Sequence, residues 1–314
     1  MNEFAERIER DFPVRCKEKE KVDFRTWLVY TLKELGYSPK LESGTSALSA
    51  GGNVTNVVVG DIEKAKIVLA AHYDTGVREV LPPLICPTRP ATYMLYEALM
   101  PLLALAVSFL ISFGVTFALN MPNMTLPLFL LLLVVGLFYP KYGKSEMNNK
   151  NANTSGVIAL LEAAKALTPR YRGEVCFLFL DGGTQGSKGA KRLIHAHPEL
   201  KKKSVVLDCV GEGDELLILP GKASRWNDKL LDTILEQFSN SEKKTCFLKT
   251  DGLVHYPSDN RAFTGGTVIC ACKKVKGFGR CILPRKATGI DEENLSLLCD
   301  GLCKLVMYYN PQNT

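Results

Sequence analysis

The stretch Ile67-Val68-Leu69-Ala70-Ala71-His72-Tyr73-Asp74 decides how this chain is read: a β-branched apolar run with strand propensity that ends in a histidine and a carboxylate. A polar turn, Gly60-Asp61-Ile62-Glu63, leads into it from a second such run, Asn56-Val57-Val58-Val59, and the pair predicts an antiparallel hairpin. Upstream, apolar residues recur at helical spacing from Phe4 to Phe12 and again from Asp23 to Leu35, where Gly36 supplies a C-cap. Downstream, helices and strands alternate. Asn153-Thr154-Ser155 reads as the cap of a helix whose apolar face is Val157, Leu160, Leu161, Ala164 and Leu167. Glu174 to Leu180 reads as a buried strand, Asp181-Gly182-Gly183 as a turn, and Gln185 to His195 as a basic helix. Further strands are predicted at 204–208, 216–219, 245–248 and 267–272, with helices at 227–238 and 292–308. Early antiparallel strands followed by βα units predict an α/β fold, a three-layer α/β/α sandwich on a mixed sheet.

One segment breaks this alternation. From Ala98 to Pro140 there is no charged residue. Asn120-Met121-Pro122-Asn123 is turn chemistry, so the run divides into two legs, Pro101 to Leu119 and Pro122 to Tyr139. Each leg of roughly 18 to 19 residues reaches about 27 to 29 Å as a helix, close to the ~30 Å hydrocarbon core of a bilayer. The expectation is a transmembrane hairpin with Pro101 and Pro122 near the first turn of their helices, where a missing N–H costs nothing. A re-entrant hairpin, should the second leg begin only at Leu126, and a hairpin buried in a soluble core are the alternatives. Arg78 and Arg89 before the insert and Lys141, Lys144 and Lys150 after it place both flanks on the cytoplasmic side of the cell's inner membrane by the positive-inside rule. The chain then comprises a discontinuous α/β domain, residues 1–84 and 145–314, and an inserted hairpin, residues 91–142.

The remaining composition narrows the function classes. A net charge of +6 over 314 residues is mild and spread along the chain, without interleaved aromatics, which argues against nucleic acid and fits attraction to anionic lipid headgroups. The ten cysteines are scattered through predicted strands and helices without CxxC pairs, and read as reduced thiols rather than zinc ligands. The acidic start, Met1-Asn2-Glu3-Phe4-Ala5-Glu6, predicts no secretion signal. Two helices without an intramembrane ionisable residue offer no ion path, which disfavours a transporter.

Five segments taken together carry a resemblance: Ile67 to Asp74, Asn153-Thr154-Ser155-Gly156-Val157, Phe177 to Gly189, Val205-Val206-Leu207-Asp208, and Ser258-Asp259-Asn260-Arg261-Ala262-Phe263. In this order the chain resembles the co-catalytic zinc aminopeptidases and the related glutaminyl cyclases of metallopeptidase clan MH, from about Asp23 to Tyr308. The resemblance implies two zinc ions that share a bridging carboxylate, two histidines and two further carboxylates as ligands, and a glutamate as general base. The metals would lower the pKa of a shared water and polarise the scissile carbonyl. By position, His72 matches the first ligand, Asp74 the carboxylate that orients its imidazole, and Asp208 another carboxylate ligand.

The other positions depart from the pattern. Ala152 stands where the bridging aspartate belongs, Gly183-Thr184 stand where adjacent glutamates supply base and ligand, and no histidine occurs between Arg280 and Gly289. His72 and Asp208 alone cannot give either metal three protein ligands. The expected function is therefore a membrane-anchored, catalytically inactive binding or scaffold protein without a metal cofactor. The alternative is an active zinc aminopeptidase or amidohydrolase whose site is rebuilt from Asp181, Glu212, Asp214 or His255. Surface positions are expected for His195 and His197 at the end of their basic helix, and for Glu212 and Asp214 in a Gly-rich turn. The insert replaces a loop beside the site, so the cleft is expected near the bilayer, facing a lipid headgroup or the terminus of a membrane peptide or protein. Equally, the hairpin could serve as an anchor alone.

Overall fold

The structure is a computed structural model and describes residues 2–45, 53–78, 84–221, 228–238, 244–248, 256–282 and 289–310. Helices α1 (Glu3–Asp11) and α2 (Glu18–Glu34) precede strands β1 (Lys40–Thr45), β2 (Asn53–Val59) and β3 (Ile67–His72). The insert forms α3 (Pro90–Ala118) and α4 (Thr125–Tyr142). Then follow α5 (Ser155–Ala166), β4 (Val175–Leu180), α6 (Lys188–Ala196), α7 (Leu200–Lys203), β5 (Ser204–Leu207) and β6 (Glu215–Pro220). Helix α8 (Asp228–Gln237), β7 (Thr245–Leu248), β8 (Thr267–Val275), β9 (Gly279–Cys281) and α9 (Glu292–Tyr308) complete the described elements.

These strands form one mixed sheet in the order β1-β2-β4-β3-β5-β8-β6-β7, with β9 paired to β8. Strand β3 lies at its centre, parallel to β4 from Ile67↔Val175 to His72↔Leu180 and parallel to β5 on its other edge. Its side chains alternate between two cores. Ile67, Leu69 and Ala71 join Val57, Phe177, Phe179 and the inward faces of α1, α2, α5 and α9. Val68 and Ala70 join Val58, Cys176, Leu178 and the buried residues of α6 and α7. A strand covered on both faces carries apolar residues at every position, and helices on both faces make the predicted three-layer sandwich.

The antiparallel hairpin expected between β2 and β3 does not form, because β4 lies between them and pairs antiparallel with β2. The polar turn after β2 instead crosses the start of β4. Gly60, at φ +100°, packs so closely that a Cβ there would lie 2.6 Å from the Val175 carbonyl oxygen. Strands β1 and β9 have no counterpart among the sequence-based expectations. The helix cap expected at Asn153-Thr154-Ser155 is also absent, since Thr154 makes no side-chain cap bond and a π-helical turn, Lys150–Thr154, leads into α5. At Gly156 a Cβ would lie 2.7 Å from the Leu207 carbonyl and 3.0 Å from the Ala71 methyl, so the first turn of α5 rests directly on the ends of β3 and β5.

The insert differs from the two equal legs expected. Helix α3 begins at Pro90, which takes the first-turn position, so Pro101 lies inside the helix, where it removes a backbone donor. Leu119 caps α3 by donating its N–H to Val115, the 3-10 turn Pro122–Met124 follows, and the Tyr139 carbonyl accepts from Gly143 near the end of α4. Among the described residues one helix, Pro90–Ala118, is long and apolar enough to cross a membrane, with a mean hydropathy of 2.3 over an 18-residue window; the apolar stretch Pro122–Gly136 is shorter. The pair is inside out relative to a soluble core. Phe117 is 75% exposed and Leu110 64%, whereas Ser112 and Thr116 are buried between the helices. Their hydroxyls are satisfied locally: Ser112 donates to the Ser108 carbonyl and Thr116 to the Ser112 carbonyl, with Thr125 Oγ1 2.6 Å from Thr116 Oγ1. At the root of the hairpin Val77 bridges Ser145, Arg78 donates its N–H to the Lys144 carbonyl, and Glu146 donates to Gly76.

Candidate functional site

The C-terminal ends of parallel strands and the loops that leave them form the usual ligand crevice of an open α/β sheet. Here those positions are His72 at the end of β3, Gly183 and Thr184 past β4, and Asp208 past β5. Asp259, in a 3-10 turn before β8, and Asn153, in the turn before α5, complete the group.

The His72 side chain is 10% exposed and both of its ring nitrogens are engaged. Asp259 Oδ2 lies 3.1 Å from Nδ1, and the Asn153 side-chain amide lies 2.7 Å from Nε2. The contact with Asp259 is an ion pair rather than an aligned hydrogen bond, and the Asp259 carboxylate, 1% exposed, accepts no hydrogen bond. Burial opposes charge on His72, but Asp259 first, then Asp208 and Asp74, outweigh it and push the imidazole up to about 10. Asp74 and Asp208 are themselves held above the ordinary carboxylate range by burial, against the opposing pull of the His72 charge. Asp208 accepts from the Cys209 thiol, and Cys209 adopts φ +53° to turn the chain out of the sheet.

Asp74 is directed elsewhere than to the imidazole. Its carboxylate accepts the N–H groups of Gly183 (2.7 Å) and Thr184 (3.1 Å) and the Thr184 hydroxyl (2.5 Å). It thus pins the loop in which the resemblance implies adjacent glutamates, while Asp259 takes the contact with His72 Nδ1. Gly183 lies directly against the imidazole: a Cβ built there would fall 2.5 Å from His72 Cγ and 2.7 Å from its Cβ. His72 therefore occupies the space that a side chain at this position would need. Ala152 packs a methyl against the second core.

The remaining candidates have other partners. Asp181 is fully buried and holds Lys21 Nζ at 2.9 and 3.1 Å while accepting the N–H groups of Thr55 and Gly182. Burial opposes charge on Lys21, but Asp181, with Glu18 and Asp74, outweighs it and holds the ammonium above its ordinary pKa. Glu212 pairs with Lys273 and is only partly exposed, contrary to the surface position expected; Asp214 and His195 are exposed, and His197 is partly buried with Glu199 3.5 Å away. His255 lies outside the described residues. Asn151 Oδ1 accepts the N–H groups of Gly211 and Glu212, and Ser155 Oγ accepts that of Val210, so the motif before α5 shapes the Asp208 loop. Arg15, fully buried, ties the N-terminal segment to the Tyr73 carbonyl and the Thr154 hydroxyl. Burial lowers its pKa to about 10 against the charge of Asp74. Sequence reasoning passed over Asp259, Asn153 and Arg15 as site residues, although the first two stand in motifs it singled out.

These residues do not fit a dinuclear zinc centre. The Asn153 amide occupies His72 Nε2, the bridging position is a methyl group, and no side chain can enter at Gly183 without displacing His72. Among the described residues no group of three or more His, Cys, Asp or Glu side chains is placed to hold a metal ion. The arrangement is a buried cluster in which His72 pairs with Asp259 and lies in the field of Asp208 and Asp74, whose carboxyl groups burial holds above the ordinary range.

Residues 151–277 match the family model for peptidase family M28. No curated protein matches the chain. Among solved structures, a leucine aminopeptidase precursor from Bacteroides thetaiotaomicron is similar over 98% of this chain and 94% of its own, with a TM-score of 0.58 and 13% identity. The glutaminyl cyclase of the same organism is similar over 98% and 96%, with a TM-score of 0.55 and 14% identity. A Zn-dependent exopeptidase from Parabacteroides distasonis is similar over 98% and 96%, with a TM-score of 0.55 and 12% identity. The fold read from the sequence is thus the fold of zinc aminopeptidases and glutaminyl cyclases.

Proposed function

We propose that this chain with the zinc-aminopeptidase fold is a membrane-anchored binding or scaffold protein without peptidase activity. The observation that carries the reading is the contact between Gly183 and His72. The position where related enzymes place a catalytic carboxylate has no room for a Cβ, because the first ligand's own ring fills it. An imidazolium held among Asp74, Asp208 and Asp259 supplies positive charge of the kind that metal ions supply elsewhere. The cleft needs no metal cofactor on this reading.

The anchor is the α3–α4 hairpin, supported by its exposed apolar surface and inward-turned hydroxyls. Basic residues on both flanks favour the cytoplasmic side of the inner membrane. Gly76, at the root, lies two residues from Asp74, which brings the cleft to the bilayer surface and favours a lipid headgroup or the terminus of a membrane peptide or protein as occupant. Metal analysis of the purified full chain and an aminoacyl-anilide assay test the reading. It predicts substoichiometric zinc and no hydrolysis; about two zinc ions per chain, or hydrolysis abolished by a chelator, would replace it with a working hydrolase.

A further inference from the structure

All ten cysteines are free thiols, and one pair lies far apart in sequence but in direct contact in space. Cys86 Sγ and Cys281 Sγ are 3.0 Å apart, and both residues are buried, at 0% and 1% exposure. Their placement follows from strand geometry. Ile85 and Ile282 form an isolated antiparallel bridge in which each donates its N–H to the other's carbonyl, at 3.4 and 2.8 Å. The next pair along such a ladder is a non-hydrogen-bonded pair, with Cα atoms about 4.5 Å apart and side chains facing each other. That pair is Cys86 and Cys281. The separation lies within the range a disulfide spans, and closing the bond takes about 1 Å of sulfur movement.

The backbone around the pair can open. Cys86 belongs to the strap of residues 84–89 that leads directly into α3 at Pro90, and Cys281 ends β9. Among the described residues, the strap's ties to the sheet besides the two-residue bridge include Arg89, which donates to the Gly277 carbonyl at 2.8 Å. A segment tied by so few bonds opens locally at a fraction of the cost of global unfolding. Burial pushes the Cys281 thiol up to about 12, so the closed strap protects the pair and reaction runs through the opened one.

We propose that Cys86 and Cys281 are a redox pair, oxidised by a peroxide to a disulfide that staples the root of the membrane hairpin to the β8–β9 edge of the sheet. The thiolate of one cysteine attacks a peroxide oxygen, so that an S–O bond forms, the O–O bond breaks and one water leaves. The second sulfur then displaces the sulfenic hydroxyl as a second water and the S–S bond forms. Two thiols lose two electrons and two protons, and the peroxide takes them up.

The test uses the full chain in detergent micelles, treated with stoichiometric hydrogen peroxide, then denatured, alkylated, digested and mapped by mass spectrometry. The expected product is a peptide pair joined through Cys86 and Cys281, with both residues lost from the alkylated pool and restored by a thiol reductant. In the oxidised protein, amide exchange at Ile85 and Ile282 slows at least about tenfold. Cys86→Ala leaves Cys281 alkylatable after peroxide, Cys281→Ala leaves Cys86 so, and Cys176→Ala retains the link. The proposal is overturned if Cys86 and Cys281 stay alkylatable in the oxidised wild type. Joining to other cysteines, oxidation to sulfinic acid, or a link that leaves exchange at Ile85 and Ile282 unchanged would overturn it too.

Discussion

Substituting Gly183→Ala adds one methyl group where the site has no space for it. The new Cβ would lie 2.5, 2.7 and 2.8 Å from His72 Cγ, Cβ and Cδ2, about 1 Å inside ordinary carbon contacts. His72 cannot yield by swinging a flexible tip, since its own Cβ is among the atoms struck and its ring is clamped between Asp259 and Asn153. Gly183 is outside the left-handed region of backbone space, so the substitution reports sterics and not backbone strain. Overpacking of this kind costs about 1 to 3 kcal/mol, which in a domain of this size lowers Tm by roughly 3 to 8 °C. The decisive measurement repeats the substitution in a His72→Gly background, which removes the struck Cβ as well as the ring, with thermal unfolding of the micelle-bound chain followed by circular dichroism. There the methyl enters vacated space and costs less than ~0.5 kcal/mol, a coupling of about 1 to 2.5 kcal/mol between the two positions. Equal costs in both backgrounds would refute the claim that His72 fills the place of the missing side chain, and with it the support for the proposed lack of peptidase activity.

Further outcomes follow from the same geometry. His72 should show charged-imidazole NMR shifts through pH 8 and titrate near 10 instead of 6.5, and Asp259→Asn should bring that titration down. Because the folded-state pKa is raised, its contribution to stability is complete below the ordinary histidine value and is lost as pH rises toward 10; stability that increases over that interval would contradict the assignment. A chelator should leave Tm unchanged, whereas a fall of several degrees would reveal a structural metal. Lys21→Met leaves the buried Asp181 carboxylate with Arg25, 3.7 Å away, as a cation partner and should cost about 1.5 to 3 kcal/mol in urea unfolding, the worth of a hydrogen bond to a charged group; a loss under 1 kcal/mol would mean that Asp181 is not dependent on Lys21. Replacing residues 91–142 with a short Gly-Ser linker should yield a folded chain that no longer floats with liposomes; flotation of the shortened chain would place membrane binding elsewhere.

Much of the fold was legible because burial on two faces leaves a signature in composition. Val175 to Leu180 is apolar at every position, as a strand between two helical layers must be, and it appears where expected. The edge strand Lys40–Thr45 was not legible because, as an edge strand partly facing solvent, it alternates polar and small residues as a loop does. The false hairpin at Gly60 has a different cause. Local turn chemistry was read correctly, but nothing near it announces that β4, more than a hundred positions downstream, inserts between the two strands it joins. Within the site, the departures at Ala152 and Gly183-Thr184 could be read by position. The redirection of Asp74 to the Gly183 loop and the capture of His72 by Asp259 could not, because both depend on how closely two strand ends approach.

The order of the strands along the chain also has a consequence for how the protein is made. Both neighbours of β3 in the sheet, β4 and β5, are encoded after the hairpin. At about 5 to 20 residues per second, the ribosome finishes the second helix several seconds before it delivers the last residue of β5. With the hairpin as anchor, the lipid phase receives its segment while β3 still lacks any partner. On the proposed anchoring, the α/β domain would be assembled from its first closed sheet onward as a tethered nascent chain at the bilayer surface, never as a free molecule in search of one.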